Sequence, residues 1–314
     1  MRKMIDYKGL QGSKILVTGA AGFIGMHLCR ALMNNGCHVT AVSRNSISDT
    51  VRNNYTQYAA DLVDPEKVNM MIRETKPDFV FHLAGIPIGS RSLEFIPSTF
   101  EGNLVTTLNL LTAMTEQQQG KLIIAGSLEE PAGNSDEIPS SPYAMSKWAA
   151  SRYAKMFYAL YDTPVVHLRI FMVYGPGKQD ENKLIPFVIK GLINQNPPEL
   201  TSGNREIDWI YVEDVVEGMI MAALSPEATG QTIDIGSGNL LTTRELVEQI
   251  KRMMNSKTDL LFGSRQDRKM EQVRQANTRD TLKKIGWKPR FSLEKGLALT
   301  IDYFKEVHTS SPAK

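Results

Sequence analysis

Cysteine and long apolar runs are scarce in this sequence. Only two of the 314 residues are cysteine, Cys29 and Cys37, and no cysteine or histidine cluster has the spacing of a metal site. We expect both thiols to be buried in a reducing compartment rather than joined in a disulfide, and we expect no bound metal. No segment reaches the roughly 18 consecutive apolar residues of a membrane-spanning helix, and the N-terminal residues carry no apolar core of a signal peptide. The sequence therefore predicts a cytoplasmic protein without membrane partners.

An excess of charge of one sign is also missing. The 36 basic and 34 acidic side chains leave a net charge of +2, and no block of about five or six like charges occurs. This balance argues against a dedicated nucleic-acid surface. Hydrophobic residues make up 42% and charged residues 22%, which is ordinary globular composition and excludes wholesale disorder. A chain of this length forms about two domains, or one large α/β unit with an appended lobe.

Short β-branched segments alternate with helical patterns through the first half of the chain. The strand candidates are residues 14–18, 38–42, 79–83, 122–125 and 165–170, and the helix candidates are 23–34, 65–74, 99–116 and 143–161. This alternation is typical of βαβ units, so we predict an α/β fold with a doubly wound parallel sheet of six or seven strands in about the first 170 residues. Beyond residue 176 the elements become shorter, with helical patterns at 212–224, 243–255, 279–285 and 293–305.

A glycine-rich turn follows the first strand candidate directly. Residues without Cβ atoms let a backbone approach a pyrophosphate, and a helix N-terminus supplies free N–H groups and the positive end of its dipole. We therefore predict a Rossmann dinucleotide-binding domain over residues 1–170. Residues 171–314 then form mainly a smaller C-terminal substrate-binding lobe, with some segments returning to the Rossmann domain. The turn residues assigned to the cofactor are Gly19, Ala21, Gly22, Phe23, Ile24 and Gly25.

The end of the second strand candidate selects between the two dinucleotides. An acidic side chain about 20 residues beyond the turn would bind the ribose hydroxyls of NAD, whereas an arginine there accommodates the 2′-phosphate of NADP. The sequence places Ser43 and Arg44 at this point and has no carboxylate before Asp49. A guanidinium fork matches a phosphate, and the Ser43 hydroxyl can donate to it. We favour NADP(H), with NAD(H) as the alternative if Asp49 folds back to the ribose.

A serine, a tyrosine and a lysine indicate redox chemistry. Tyr143 and Lys147 lie one helical turn apart on one face of a predicted helix, and Ser127 ends the strand candidate before it. When a hydride moves between nicotinamide and a carbinol carbon, Tyr143 would transfer the proton and Ser127 would hold the oxygen. The intrinsic pKa of tyrosine is about 10, so we expect the Lys147 ammonium to lower it and to bind the nicotinamide ribose.

Together these motifs resemble the extended short-chain dehydrogenase/reductase family of nucleotide-sugar epimerases, dehydratases and reductases. The resemblance covers nearly the whole chain. It implies that Asp61 and Leu62 lie on the adenine side of the cofactor and that Leu83, Ala84 and Gly85 form the wall of the cofactor site. It also implies that Arg268 contacts the diphosphate of a sugar nucleotide and that Met172, within the passage that ends in Tyr174-Gly175-Pro176, lies on the substrate side.

The residues after Ser127 bear on the reaction. In the dehydratases of this family an Asp and a Glu follow the Ser or Thr, because elimination of water needs an acid and a base besides the tyrosine. Here Leu128 takes the place of the Asp, and Glu129 remains as a catalytic candidate. The run Gly-Ser-x-Glu-Glu resembles the 4-keto-6-deoxyhexose reductases more closely. We therefore expect an NADP(H)-dependent enzyme that reduces a 4-keto, 6-deoxy nucleotide sugar.

Two other functions stay open. One is a nucleotide-sugar 4-epimerase, or a dehydratase or decarboxylase, with tightly bound NAD. The other is a non-catalytic, cofactor-sensing protein of the same fold, against which the complete Ser127, Tyr143 and Lys147 set argues. We also expect a homodimer, because the predicted helices 99–116 and 143–161 carry apolar residues on more than one face, and relatives pair these helices.

Overall fold

Seven parallel strands form the central sheet of the computed structural model, which describes residues 9–44, 55–131 and 137–310. The strands are Lys14–Thr18 (β1), His38–Ser43 (β2), Tyr55–Ala59 (β3), Phe79–His82 (β4), Lys121–Ser127 (β5), Val165–Ile170 (β6) and Thr232–Ile235 (β10). Their order is β10-β6-β5-β4-β1-β2-β3. Strand β1 lies near the middle and is buried along nearly its whole length, as its run of apolar residues predicts. The doubly wound parallel sheet is therefore confirmed.

Helices cover both faces of the sheet. The helices are Phe23–Asn34 (α1), Pro65–Thr75 (α2), Phe95–Thr99 (α3), Thr106–Gln117 (α4), Pro142–Tyr161 (α5), Leu184–Ile193 (α6), Val212–Leu224 (α7), Thr243–Met253 (α8), Thr278–Ile285 (α9) and Leu293–Ser310 (α10). Leu28 of α1 and Met219 of α7 belong to one buried core. Ile72 of α2, Leu111 of α4 and Ala154 of α5 belong to a second core on the other face.

The second half of the chain builds a third core beside smaller sheets. The remaining strands are Met172–Tyr174 (β7), Glu199–Leu200 (β8), Glu206–Tyr211 (β9), Leu240–Thr242 (β11) and Leu261–Phe262 (β12). Strands β11, β9 and β7 form a three-stranded sheet, and β12 pairs with β8. Trp209, Leu246 and Leu297 pack together in this core. The boundary between two domains near residue 170 stays a prediction.

One element differs from the expectation. The first 170 residues supply six strands of the main sheet, within the expected six or seven, and the seventh, β10, comes from the second half of the chain and pairs with the edge of β6. The expected helix 99–116, however, is not one regular helix. A π-helical segment, Phe100–Val105, separates α3 from α4. The hydroxyls of Thr106 and Thr107 donate to the carbonyls of Gly102 and Asn103 across this junction. The apolar periodicity of the sequence does not reveal such a π-helical segment.

Both cysteines are buried and unpaired. Burial raises the pKa of the Cys29 thiol to about 12 and that of Cys37 to about 11, so neither is an activated nucleophile.

Among the helices of the described segments, none has the length and apolar character needed to cross a membrane.

Candidate active site

The glycine turn between β1 and α1 packs closely against the segment that follows β4. Gly19 has a φ of +67°, and a Cβ there would lie 2.6 Å from the backbone nitrogen of Ala84 and 2.7 Å from the carbonyl carbon of Leu83. A Cβ on Gly25 would overlap the carbonyl oxygen of Gly19. Glycine at these positions is therefore required by the close approach of backbones, in addition to any ligand.

The N-terminus of α1 has free donors. Gly22 caps the 12-residue helix without a side-chain hydrogen bond, and the first turn contains no acidic residue. Ala21 and Gly22 are exposed, whereas Phe23 and Ile24 are partly buried. Exposed N–H groups at the positive end of a helix dipole suit the pyrophosphate of a dinucleotide. The predicted turn residues thus form a cradle that fits such a cofactor.

The ends of β2 and β3 place the predicted adenine-side residues next to one another. Ser43 is the last residue of β2, and exposed Arg44 follows it. The Ala60 N–H donates to the Ser43 carbonyl at 3.4 Å, which brings exposed Asp61 and buried Leu62 to the same edge. Asp61 Oδ1 accepts from the Val63 N–H at 3.1 Å. Asp49, whose position decides between NADP and NAD, lies outside the described residues.

The segment after β4 forms one wall of the site. Leu83, Ala84 and Gly85 follow directly from the end of the strand. A Cβ on Gly85 would lie 2.5 Å from Asn103 Oδ1 and 3.5 Å from Lys147 Nζ. Buried Asn103, in the π-helical segment, accepts from the Ile86 N–H at 2.8 Å and donates to Ser146 Oγ at 2.9 Å. Asn103 therefore ties this wall to the turn of α5 that precedes Lys147.

Ser127, Tyr143 and Lys147 meet at the carboxyl end of β5. Ser141 caps α5 by accepting from the Ala144 N–H at 3.1 Å, and Pro142 begins the helix. This start places Tyr143 where its hydroxyl shares a hydrogen bond with the Ser127 side chain. Buried Lys147 donates from Nζ to the Ala125 carbonyl at 2.8 Å. The structure thus brings the predicted catalytic residues together.

The electrostatics of this group differ from the expectation. The Tyr143 ring is partly exposed, but its hydroxyl is enclosed by protein, and this desolvation raises its pKa. The Ser127 hydrogen bond lowers the pKa, while the charges of Glu129 and Glu130 raise it further. Burial also lowers the pKa of Lys147 to about 8, opposed by Glu130. The expectation that Lys147 brings the Tyr143 pKa toward neutrality is wrong for this structure, because desolvation raises that pKa and Lys147 is not among the groups that lower it.

Arg268, a substrate-side candidate, approaches the same loop as Glu129. A Cβ on Gly89 would lie 3.6 Å from Arg268 Nη1 and 3.9 Å from Glu129 Oε2, so both side chains reach the same stretch of loop. Met172 is partly buried on β7. Leu128 is buried in the main core and therefore offers no acid to a substrate.

A buried pair beneath Ser127 was not foreseen. Glu130 and His167 are 1% and 2% exposed, and Glu130 Oε1 lies 3.2 Å from His167 Nε2. The available signal was a histidine inside the apolar strand β6, together with an acidic residue in the turn after the end of β5. Neither feature reveals from sequence alone that the two side chains touch.

Comparison with known proteins identifies the family. The model of the "NAD dependent epimerase/dehydratase family" matches residues 15–236. The chain belongs to this family. This confirms the resemblance to extended short-chain dehydrogenases and makes NAD dependence the shared property of the group.

Individual relatives of the family match almost end to end. A UDP-glucose 4-epimerase of Mycolicibacterium smegmatis is 29% identical over 312 residues, covering 93% of this chain and 98% of that protein. A dTDP-glucose 4,6-dehydratase of Xanthomonas campestris is 27% identical over 328 residues, covering 92% of each. The structure of a Thermus thermophilus UDP-glucose 4-epimerase in complex with NAD has a TM-score of 0.81 at 28% identity, covering 93% of this chain and 98% of that one. These relatives favour the epimerase alternative over the expected reductase.

Proposed function

We propose that this member of the NAD dependent epimerase/dehydratase family is a nucleotide-sugar 4-epimerase that retains its nicotinamide dinucleotide. The observation that carries the proposal is the hydrogen bond between Ser127 and Tyr143 beside buried Lys147, together with the apolar Leu128 directly after Ser127. Relatives named as UDP-glucose and UDP-glucuronate 4-epimerases support it.

The residue after Ser127 separates epimerisation from dehydration. Elimination of water from the sugar needs an acid and a base besides the tyrosine. Leu128 is 4% exposed and packs in the core, so the position of that acid is apolar. Epimerisation at C4 needs a single group that removes a proton and later returns it. Tyr143, with Ser127 to hold the oxygen, is sufficient for that task.

Each residue of the group has a task in this proposal. A bound, oxidised nicotinamide dinucleotide would supply the reversible two-electron oxidation of the C4 carbinol. Tyr143 takes the proton of the C4 hydroxyl and returns it, and Ser127 donates to the oxygen as it becomes a carbonyl. The Lys147 ammonium would hold the cofactor ribose. The α1 N-terminus and the glycine turn bind the pyrophosphate.

We propose UDP-hexoses as the substrates, with Arg268 at the diphosphate and Glu129 beside the sugar. A Cβ on Gly89 would lie close to both Arg268 and Glu129, so a cation and a carboxylate approach one stretch of loop, which suits a ligand with a phosphate end and a hydroxyl-rich end. The names of the relatives support uridine as the base.

The deciding experiment measures products and cofactor together. The purified protein is first analysed by mass spectrometry for retained dinucleotide, and UDP-glucose is then added with catalytic NAD⁺ or NADP⁺. We expect conversion into the C4 epimer, detected by chromatography, without net change in absorbance at the reduced-nicotinamide band. Stoichiometric consumption of NADPH with a 4-keto sugar nucleotide would instead establish the reductase, and loss of water from the sugar would establish a dehydratase.

A further inference from the structure

Glu130 is a buried carboxylate that holds the backbone of Ser127. It is 1% exposed, and its Oε1 accepts from the Ser127 N–H at 2.7 Å. The Glu130 N–H donates to the Ser127 carbonyl at 3.2 Å, and the Glu129 N–H donates to Ser127 Oγ at 3.2 Å. Three hydrogen bonds thus close the turn after β5 and fix the direction of the Ser127 hydroxyl.

The strand provides space for this carboxylate. A Cβ on Gly126 would overlap both Glu130 Oε1 and the His167 ring. Gly126 and Arg169 are register partners on β5 and β6, and Arg169 is in turn the partner of Asp234 on β10. Because Gly126 has no side chain, there is room on the α5 side of the sheet, and Glu130 and His167 occupy it.

Titratable groups from three other elements surround Glu130. His167 and Arg169 face it from β6, Lys147 and Lys155 from α5, Arg274 from the loop before α9, and Tyr143 from the first turn of α5. Burial alone would raise the pKa of Glu130, but His167, the Ser127 N–H and Arg169 outweigh it and keep the pKa below its ordinary value. The carboxylate is therefore ionised at neutral pH.

We infer that Glu130 is a positioning residue for the proposed reaction, holding Ser127 in place through its hydrogen bond and placing a permanent negative charge beside Tyr143 and Lys147. The inference rests on the proposed function for what Ser127 does, but not for where Glu130 lies. A buried carboxylate costs free energy to desolvate, and a function at the catalytic strand end accounts for its presence.

The charge and the hydrogen bond have separate consequences. The negative charge raises the pKa of both Tyr143 and Lys147, because it disfavours the tyrosinate and favours the ammonium. Removal of that charge must lower both values. The hydrogen bond acts on geometry, and its loss should reduce turnover more than substrate affinity, since misplacement of a reacting group affects mainly the chemical step.

Two substitutions separate these effects. Glu130→Gln keeps an oxygen for the Ser127 N–H and removes the charge, so both limbs of the pH profile of kcat/KM should move to lower pH by about one unit. Glu130→Asp keeps the negative charge, but its shorter side chain moves the carboxylate away from the Ser127 N–H. We therefore expect kcat to fall about tenfold, while KM and both limbs of the pH profile change little. Asp234→Asn is the matched control, since it removes a carboxylate bound to Arg169 at 2.8 Å on the same side of the sheet.

A direct titration makes the test independent of substrate. In ¹⁵N-lysine NMR, with Lys147→Met for assignment, Lys147 should titrate near its pKa of about 8 in the unmodified protein and Asp234→Asn, and at lower pH in Glu130→Gln. Thermal midpoints establish that each variant is folded. An unchanged Lys147 titration together with unchanged pH limbs in Glu130→Gln overturns the proposal, as does unchanged kcat in Glu130→Asp. If the unmodified protein epimerises nothing, the proposed function fails, yet the titration still decides the role of Glu130.

Discussion

Tyr143 is the residue on which the proposed proton transfer depends. Its hydroxyl is hydrogen-bonded to Ser127, and phenylalanine retains the ring that packs at the start of α5. We expect Tyr143→Phe to lower kcat by roughly 10²-fold or more, with an unchanged thermal midpoint and cofactor dissociation constant. Steady-state kinetics, thermal unfolding and a cofactor titration measure the three quantities. Turnover close to that of the unmodified protein would remove Tyr143 from the role of proton donor.

Arg44 is the residue that we expect to determine the relative affinity for NADP(H) and NAD(H). It is exposed directly after β2, where its guanidinium can form a bidentate contact with a 2′-phosphate. Such a contact contributes about 1.5–3 kcal/mol, which is roughly 10- to 100-fold in affinity. NADP(H) should therefore bind more tightly than NAD(H), and Arg44→Ala should remove most of the difference while barely affecting NAD(H).

Fluorescence titration of both reduced cofactors tests this preference. Arg30→Ala, an exposed arginine on α1, is the control and should preserve it. Relatives such as the Thermus thermophilus epimerase bind NAD. Equal or tighter binding of NADH by the unmodified protein would place this chain with them and make Arg44 a surface residue without a ligand.

The grouping of Ser127, Tyr143 and Lys147 was predictable from sequence, but the electrostatics of the group were not. Tyr143 and Lys147 share a helix, so their spacing determines that they lie on one face, and Ser127 ends the neighbouring strand. The direction of the Tyr143 pKa depends on desolvation, which arises from tertiary packing. The contact between Glu130 and His167 was not predictable for the same reason, because His167 comes from another strand and adjoins Glu130 only in the folded protein.

At the scale of the elements, packing outweighs helix propensity at Gly25, in the first turn of α1. Alanine at Gly25 would favour the helix by about 1 kcal/mol, yet its Cβ would overlap the Gly19 carbonyl. We expect Gly25→Ala to lower the thermal midpoint of the cofactor-free protein and to weaken cofactor binding. Gly22→Ala is the matched control, since its Cβ would lie 3.1 Å from the same oxygen and should change the midpoint less. Equal midpoints for Gly25→Ala and the unmodified protein would show that the turn relaxes freely.

Helices α1 and α7 and strands β1 and β6 were predicted with the bounds observed, whereas strand β10 and the π-helical segment were not predicted. Helices α1 and α7 have the bounds that their apolar spacing predicts. Strand β10 has four residues, too few for a period to be recognised, and it is a strand because the edge of β6 offers it backbone partners. The π-helical segment likewise depends on the contacts of Asn103 with Ile86 and Ser146, which link parts of the chain that are distant in sequence.

For the molecule as a whole, exposed apolar side chains on neighbouring helices support the expected homodimer. Met145, Tyr153 and Leu160 are 47%, 40% and 65% exposed on α5, and they lie within about 80° of one another around the helix. Ile96 and Phe100, 46% and 53% exposed, lie on α3 and the π-helical segment, both of which contact α5. Several exposed large apolar side chains on elements that pack together are typical of protein interfaces.

Sedimentation tests the dimer and its location together. At micromolar concentration the unmodified protein should sediment at twice the mass of the 35.1 kDa chain. Leu160→Glu should shift it toward the monomer, because a carboxylate inside an apolar interface is desolvated without a partner. Leu282→Glu is the control, since Leu282 is 47% exposed on α9 and outside the proposed surface. A single 35.1 kDa species in the unmodified protein would refute the dimer. A dimer that persists in Leu160→Glu and dissociates in Leu282→Glu would move the interface away from α5.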